Sequence, residues 1–512
     1  MPDIFWNAGR NDRVTGLDVL GLRGFDQDLE RQWVAGITTI SFRARYLALL
    51  PWVCAEFFRR QLDDDVEAAF SHQQFEAVLR RLEAVVVFST HIGLTNGETG
   101  RPTGVIGTDL FREEGQRLDQ DQTLEIPTSK GGSVLGTYFM PCKSFGLIDW
   151  PLTGSPLPVS VPPRGKQLWQ ARANAMSGVK LAELVLEGGV VSRADVIEEG
   201  RFFSVNNIQS IPEELALLRS TFLMTAPDVN QSVFQRLQQT IDWGLGEAKA
   251  APLTAADMIR QTFARLVRTP LGGWSAVERA WGEYELYRRV HFACEILLFA
   301  LVRTMDGRSM PISDVIEEWF THSEMPPAIS QPFGWQAWPT GQLKHAVVPS
   351  SAYLDDALPV QMLRKLAPPT AAAFGFALLL VCVKHGRLLR EAEVLSLIDS
   401  PFGRLSDIVE RYQEAPIPDF LLDFVTTAIA SQHISNALRK MAAGGPCTLR
   451  FFWDGEVLCP TGTSVMPGFS GDRLSNVLGM LADLGYADRA SSTAFHSNAL
   501  GKTLLHERQV PV

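Results

Sequence analysis

At 512 residues the chain is too long to close around one core, and its 46% hydrophobic and 20% charged content exclude disorder over most of its length. A net charge of −10 with a pI near 5.5 excludes a generally basic nucleic-acid coat, although one local basic face would be enough for binding. The six cysteines (Cys54, Cys142, Cys294, Cys382, Cys447 and Cys459) include no Cys-x-x-Cys pair, so they read as small hydrophobes of a reducing compartment, and neither a metal nor a cofactor is expected.

The N-terminus, Met-Pro-Asp-Ile-Phe-Trp, has no basic region followed by an apolar core, so a cytoplasmic location without membrane contact is expected. Residues 1–35, with Gly9, Gly16, Gly21 and Gly24, read as loops and brief elements. From Gly36 to Trp52 an apolar run carries two arginines. Phe42, Tyr46, Leu47, Leu49, Leu50, Trp52, Val53, Phe57 and Phe58 surround most of a helix over 41–58, which should therefore be buried, with Pro51 kinking or restarting it. Arg43 and Arg45 go inside with that helix and must find counter-charges or carbonyls. The nearest acids, Asp18, Asp26, Asp28 and Glu30, make structural ion pairs one reading, and an anion or nucleic-acid site is the other.

Glu67 to Phe88 predicts an amphipathic helix, capped electrostatically by Asp63-Asp64-Asp65 and passing into a strand at Val85-Val86-Val87. Residues 93–136, rich in glycine, threonine and charge, read as a long loop or irregular hairpin. Gly100, Gly104 and Gly107 lack the Gly-Lys-Ser/Thr of a phosphate loop. A metal-dependent nuclease would use Asp109, Glu125 and Lys130, but the five-residue gap holding Pro127 departs from the usual acid-x-lysine strand spacing, and a solvated loop is the plainer reading. Lys143 is the only charge in the apolar stretch Tyr138 to Ile148, which makes it a candidate anion or ion-pair residue.

Prolines 151, 156, 158, 162 and 163 mark a boundary between an N-terminal mixed α/β domain (1–150) and a helical domain (165–325). Helix starts are expected at Ile211-Pro212-Glu213-Glu214 and at Thr254; His291, inside the apolar helix 281–301, reads as a satisfied core residue. No fixed-period repeat is evident. A proline-rich linker with Trp335 and Trp338 occupies 326–369, followed by a helical segment over 370–445. The apolar run Thr370 to Val383, at 14 residues, falls short of the ~20 needed to span a bilayer.

Residues 446–512 are the most interpretable. A strand and turn at Leu449 to Gly455, a helix Asp472 to Leu484 ending at Gly485, a short hairpin and a last helix resemble the winged-helix module. If it reads DNA, Arg473, Ser475 and Asn476 would enter the major groove, with Arg489, His496 and Lys502 near phosphates. The same module also serves for protein docking. The fold class is thus mainly α: a multi-domain helical protein with a small α+β N-terminal region and a C-terminal winged-helix-like module.

Asp18-Val19-Leu20-Gly21-Leu22, Gly36-Ile37-Thr38, Arg43-Ala44-Arg45-Tyr46, Pro51-Trp52 and Arg473-Leu474 to Leu484-Gly485 together resemble an uncharacterised family of large bacterial proteins, some of which occur beside phage-defence genes. The resemblance implies a bacterial cytoplasmic role in a defence assembly and carries over no catalytic residues. The expected function is a non-catalytic DNA-binding or scaffold subunit whose partners are other subunits of a defence complex and DNA. A metal-dependent nuclease and a protein-only adaptor are the alternatives.

Overall fold

The computed structural model describes residues 18–64, 71–225, 229–323, 343, 353–355, 357, 360–395, 401–462, 465–468 and 471–509. Most of the proline-rich linker, with Trp335 and Trp338, lies outside the described residues, as do the first 17 residues and Asp65 of the acidic triplet. The protein is mainly helical. Eight short strands occur among the described residues: β1 (Leu124–Glu125), β2 (Val190–Val191), β3 (Leu253–Thr254), β4 (Met310–Pro311), β5 (Phe451–Asp454), β6 (Val457–Pro460), β7 (Ala487–Arg489) and β8 (Ala494–Ser497).

In place of a linear series of five segments, the chain divides into two units assembled from separated stretches. The first holds residues up to Glu30 and Ile259–Gly471; the second holds Arg31–Met258 and Asp472–Val512. The stretch 446–512 is therefore shared, with hairpin β5–β6 in the first unit and helix 474–483, β7, β8 and the last helix in the second.

The first unit is organised on helices Ala276–Met305 and Pro368–Glu391, which pack directly on each other. Gly375 makes the approach possible, because a Cβ there would stand 3.0 Å from Ile296 Cγ2 and 3.2 Å from the Ala293 carbonyl. The 368–391 helix is longer than the apolar run alone suggests, and by length and composition it could cross a bilayer. Of its most apolar 18 residues 83% are buried inside the protein, so this surface is spent on the core. β4 runs straight into helix Ile312–His322 and pairs with β6, giving sheet order β4-β6-β5 with Met310 opposite Leu458 and Pro311 opposite Val457. Late in the helical segment expected over 370–445, two helices, Ile417–Phe424 and Gln432–Ala442, flank a π-helical turn over Val425–Ser431.

The second unit packs helix Tyr46–Asp64 against Pro163–Ala175 and Val134–Ser144. Trp52 meets Phe203 edge-on at 5.8 Å, and Tyr46 and Tyr138 lie 4.8 Å apart. The buried helix starts five residues later than the apolar pattern suggests and runs through Pro51 uninterrupted, so Arg43 and Arg45 precede it. The next helix, His72–Thr95, is capped by the Ser71 side chain, which accepts from the Gln74 N–H, and not by the acidic triplet; its β-branched run Val85-Val86-Val87 stays helical, fully buried, instead of becoming a strand. β3 leads directly into helix Ala255–Arg268 and pairs with β8, in order β3-β8-β7, with Leu253 opposite Phe495.

Both three-stranded sheets therefore follow one plan: a lone strand feeding a helix pairs with the second strand of a hairpin that arrives much later in the chain. The strand-to-helix turns also share a sequence form, Leu253-Thr254-Ala255-Ala256-Asp257-Met258-Ile259 and Met310-Pro311-Ile312-Ser313-Asp314-Val315-Ile316. A third version, Val191-Ser192-Arg193-Ala194-Asp195-Val196-Ile197, follows β2. Thr254 and Ser192 each cap the helix and bond the aspartate three residues on.

Candidate anion-binding cleft in the second unit

A guanidinium taken out of water needs most of its five N–H donors satisfied, and Arg43 achieves this. Its Nε donates to Asp483 Oδ2 (3.0 Å), Nη1 to the carbonyls of Arg101 (3.3 Å) and Thr103 (3.2 Å), and Nη2 to the Val205 carbonyl (2.9 Å) and Asn206 Oδ1 (2.8 Å). Its main chain is tied as well, since the Tyr138 hydroxyl accepts from Arg43 N–H and donates to Arg43 C=O.

Arg45 points elsewhere. Nη1 reaches the carbonyls of Arg201, Ser204 and Asn207 at 2.6–2.8 Å, and Nη2 reaches Ser210 Oγ at 3.0 Å. Its Nε pairs with Glu214 at 3.3 Å, off hydrogen-bond alignment, while Arg172 takes the other oxygen of the same carboxylate. All three groups are fully buried. Burial above all lowers the Arg45 pKa, to about 10, with Glu214 opposing and Arg172 assisting. Both arginines are thus ion-paired, with partners, Asp483 and Glu214, that lie far along the chain.

Arg43 also lines an open cleft of about 640 Å³, together with Thr99 to Arg101, Thr103, Val205, Asn206, Ile208, Gln209, Ala482, Asp483, Gly485 and Ala487 to Arg489. Arg489 lines the same cleft. Its Nη2 donates to the Gly479 carbonyl (2.7 Å) and to Asp483 Oδ1 (3.3 Å), and its guanidinium lies 5.4 Å from the Phe495 ring. Burial lowers its pKa, Asp483 raises it, and Arg43 and Arg101 both lower it further. The Arg101 side chain has no hydrogen-bond or ion-pair partner among the described residues.

The remaining sequence-predicted residues are placed as follows. Helix Leu474–Asp483 is buried along nearly its whole length. Arg473 donates to the Ile37 carbonyl (3.2 Å) and Asn476 to the Thr38 carbonyl (2.6 Å); a Cβ on Gly479 would lie 3.5 Å from the Phe42 carbonyl. The stretch 37–42 thus covers the face that a major groove would need, and Arg473 and Asn476 are committed to main-chain carbonyls. Ser475 is half-buried, with its N–H on Asp472; His496 sits mid-strand opposite Asp488; Lys502 is exposed, without a partner among the described residues. Lys143 pairs with Asp149, its Nζ 5.9 Å from the Trp150 ring. Of the residues of the nuclease reading, Asp109 pairs with Arg112, Lys130 pairs with Glu114 at 2.8 Å, and Glu125 is exposed on β1.

Asn206, Arg101 and Asp483 were missed. The signals available in the sequence, an asparagine between turns and an acid late in a helix, are too common to single them out. No known protein family, no curated protein and no solved structure matches the chain.

Proposed function

We propose that this protein is a non-catalytic scaffold subunit of a bacterial anti-phage defence complex, built on two winged-helix-like modules used for assembly and not for reading bases. The order β3-β8-β7, with a helix before the hairpin, supports a winged-helix reading in the second unit, and β4-β6-β5 supports the same reading in the first. The defence setting rests on the resemblance carried by Asp18 to Leu22, Gly36 to Trp52 and Arg473 to Gly485.

One observation carries the scaffold reading over direct base readout. In each unit the helix in the recognition position is occupied by the unit's own N-terminal stretch. Arg473 and Asn476 bond the carbonyls of Ile37 and Thr38 in the second unit. Gln432, His433 and Asn436 bond those of Leu20, Val19 and Asp18 in the first, at 2.7–2.9 Å. Base readout needs such side chains free at a groove floor.

The test is co-purification of the full chain with the products of adjacent genes, with and without nuclease, beside an electrophoretic shift series. The expected result is a nuclease-resistant complex and only weak, sequence-independent DNA retention that disappears as salt rises. Tight binding of one duplex sequence, or an absence of any partner from the adjacent genes, overturns the reading.

A further inference from the structure

We infer that the cleft of the second unit is a binding site for a small phosphate ester of nucleotide size. This goes beyond the scaffold reading and does not depend on it. The first support is charge. Three guanidiniums (Arg43, Arg101, Arg489) face the cleft against two carboxylates, Asp483 and Asp488. Asp483 is already shared between Arg43 and Arg489, and Asp488 is exposed at the rim, where it accepts from Asn498. Arg489 feels Arg43 and Arg101 as repulsion, a cost that a bound anion removes.

The second support is an inventory of donors. Asn206 Oδ1 accepts from Arg43 Nη2 (2.8 Å) and from the Arg101 N–H (3.1 Å). Both partners are donors, so the oxygen must face them, and the amide orientation is fixed. Asn206 Nδ2 is left buried at the cleft wall with no partner. A buried donor without an acceptor is costly, and an incoming phosphate oxygen is a suitable acceptor. The Arg101 guanidinium and Nη1 of Arg489 are also unpaired among the described residues. Gly100 lets the Asn206 side chain pack against the backbone here: its φ is +149°, and a Cβ there would stand 2.2 Å from Asn206 Cγ.

Size and charge balance select the ligand class. A cleft of about 640 Å³ is in the range that encloses small ligands. The arginines share the cleft lining with an exposed acid, Asp488, and the chain as a whole is at −10. A discrete phosphate satisfies this arrangement, whereas a polyanion running across the rim needs a basic track. Thr99, Thr103 and Gln209 supply hydrogen-bonding groups beside the phosphate position for the rest of the ligand.

The test is titration calorimetry of the full chain with inorganic phosphate, AMP, ATP and a duplex of about 20 base pairs near physiological salt. AMP or ATP is expected to bind more tightly than phosphate alone. Arg101→Ala removes a side chain that holds nothing in the fold, and Asn206→Asp keeps the acceptor for Arg43 while replacing the free donor by an oxygen. Each should weaken binding by about tenfold or more, the worth of one charge-assisted hydrogen bond, with an unchanged unfolding midpoint in the absence of ligand. Absence of heat with every phosphate probe up to about 1 mM overturns the site, because such binding would be too weak to matter. Affinity unaffected by both substitutions overturns it as well, and so does binding of the duplex alone.

Discussion

The two units solve the same problem, a charged side chain in the core, with opposite arithmetic. In the second unit two buried arginines, Arg45 and Arg172, share the single carboxylate of Glu214, and main-chain carbonyls take up most of the other bonds they make. In the first unit one histidine stands among three carboxylates: His291 lies 3.1 Å from Glu295, 3.9 Å from Asp26 and 4.0 Å from Asp18. A cation-rich centre leans on carbonyl dipoles that do not titrate, whereas an anion-rich centre leans on a group that does. The second unit should therefore be brittle to mutation and indifferent to pH near neutrality, and the first should show the reverse.

The largest expected effect comes from removing the shared acid. Glu214→Gln leaves two guanidiniums buried beside a neutral amide, and an uncompensated buried charge costs about 3–5 kcal/mol. Denaturant unfolding of the variant, followed by hydrogen exchange in helices 46–64 and 163–175, should show loss of protection in the second unit. If Glu214→Gln unfolds no more readily than the parent chain, carbonyls alone hold Arg45 and Arg172, and the contrast between the centres disappears.

The next effect is the pH dependence of the first unit. His433 is held neutral: Nδ1–H donates to the Val19 carbonyl, and Nε2 accepts from the Arg450 N–H at 3.0 Å. Burial, assisted by Arg450 and Lys440, lowers its pKa to about 4. The unfolded chain therefore takes up the proton first, and stability falls as pH drops from about 6.5 towards 4, by on the order of 2–3 kcal/mol. His291 behaves oppositely. Burial lowers its pKa, but Glu295, Asp26 and Asp18 outweigh burial and raise it to about 10, so its contribution is complete below about 6.5 and is lost by about pH 10. Together the two histidines set the best stability of this unit near pH 6.5. Exchange protection of residues 432–442 measured against pH checks this, and His433→Gln should flatten the acid limb only.

How much of this was legible in the sequence depends on what burial alone determines. The apolar run after Gly36 showed that Arg43 and Arg45 go inside, because few polar positions remain on that stretch. It could not show their partners, since Asp483 and Glu214 are separated from them by most of the chain or a third of it. The helix starts and turns of the last forty residues were legible within about two positions, because Gly485 and the Ser-rich turn constrain the backbone locally. The burial of Arg473 and Asn476 was not legible: a polar helix face looks the same in sequence whether water or a row of carbonyls satisfies it. The repeated strand-to-helix turn escaped because its copies are unevenly spaced and its strands are two residues long.

A smaller effect compares the two occupied helices. Asn476→Ala and Asn436→Ala each remove one side-chain bond to a main-chain carbonyl, worth about 1–2 kcal/mol when the carbonyl is left unsatisfied. The Asn436 variant should be the milder of the two, because Lys440 also donates to the Asp18 carbonyl and can keep it satisfied. The Thr38 carbonyl keeps only a neutral donor, the Ser41 hydroxyl at 3.1 Å, whereas the Asp18 carbonyl keeps a charged one. Unfolding midpoints for the two variants rank them directly, and the reverse order would mean that Lys440 does not substitute.

The smallest effect separates the occupied helix from the surface beside it. Lys502 is exposed and pairs with nothing among the described residues, so Lys502→Ala should change stability by no more than about 0.5 kcal/mol. Its charge is nevertheless free to meet a phosphate, which Arg473 is not. If DNA touches this end of the second unit only through its backbone, Lys502→Ala should lower the salt slope of binding by about one and weaken all sequences alike. Arg473→Ala should act the other way round, loosening residues 36–42 in hydrogen exchange while leaving the salt slope unaltered. A sequence-dependent loss with Arg473→Ala would mean that the 37–42 stretch moves aside on binding, and the helix 474–483 would again be a reading helix.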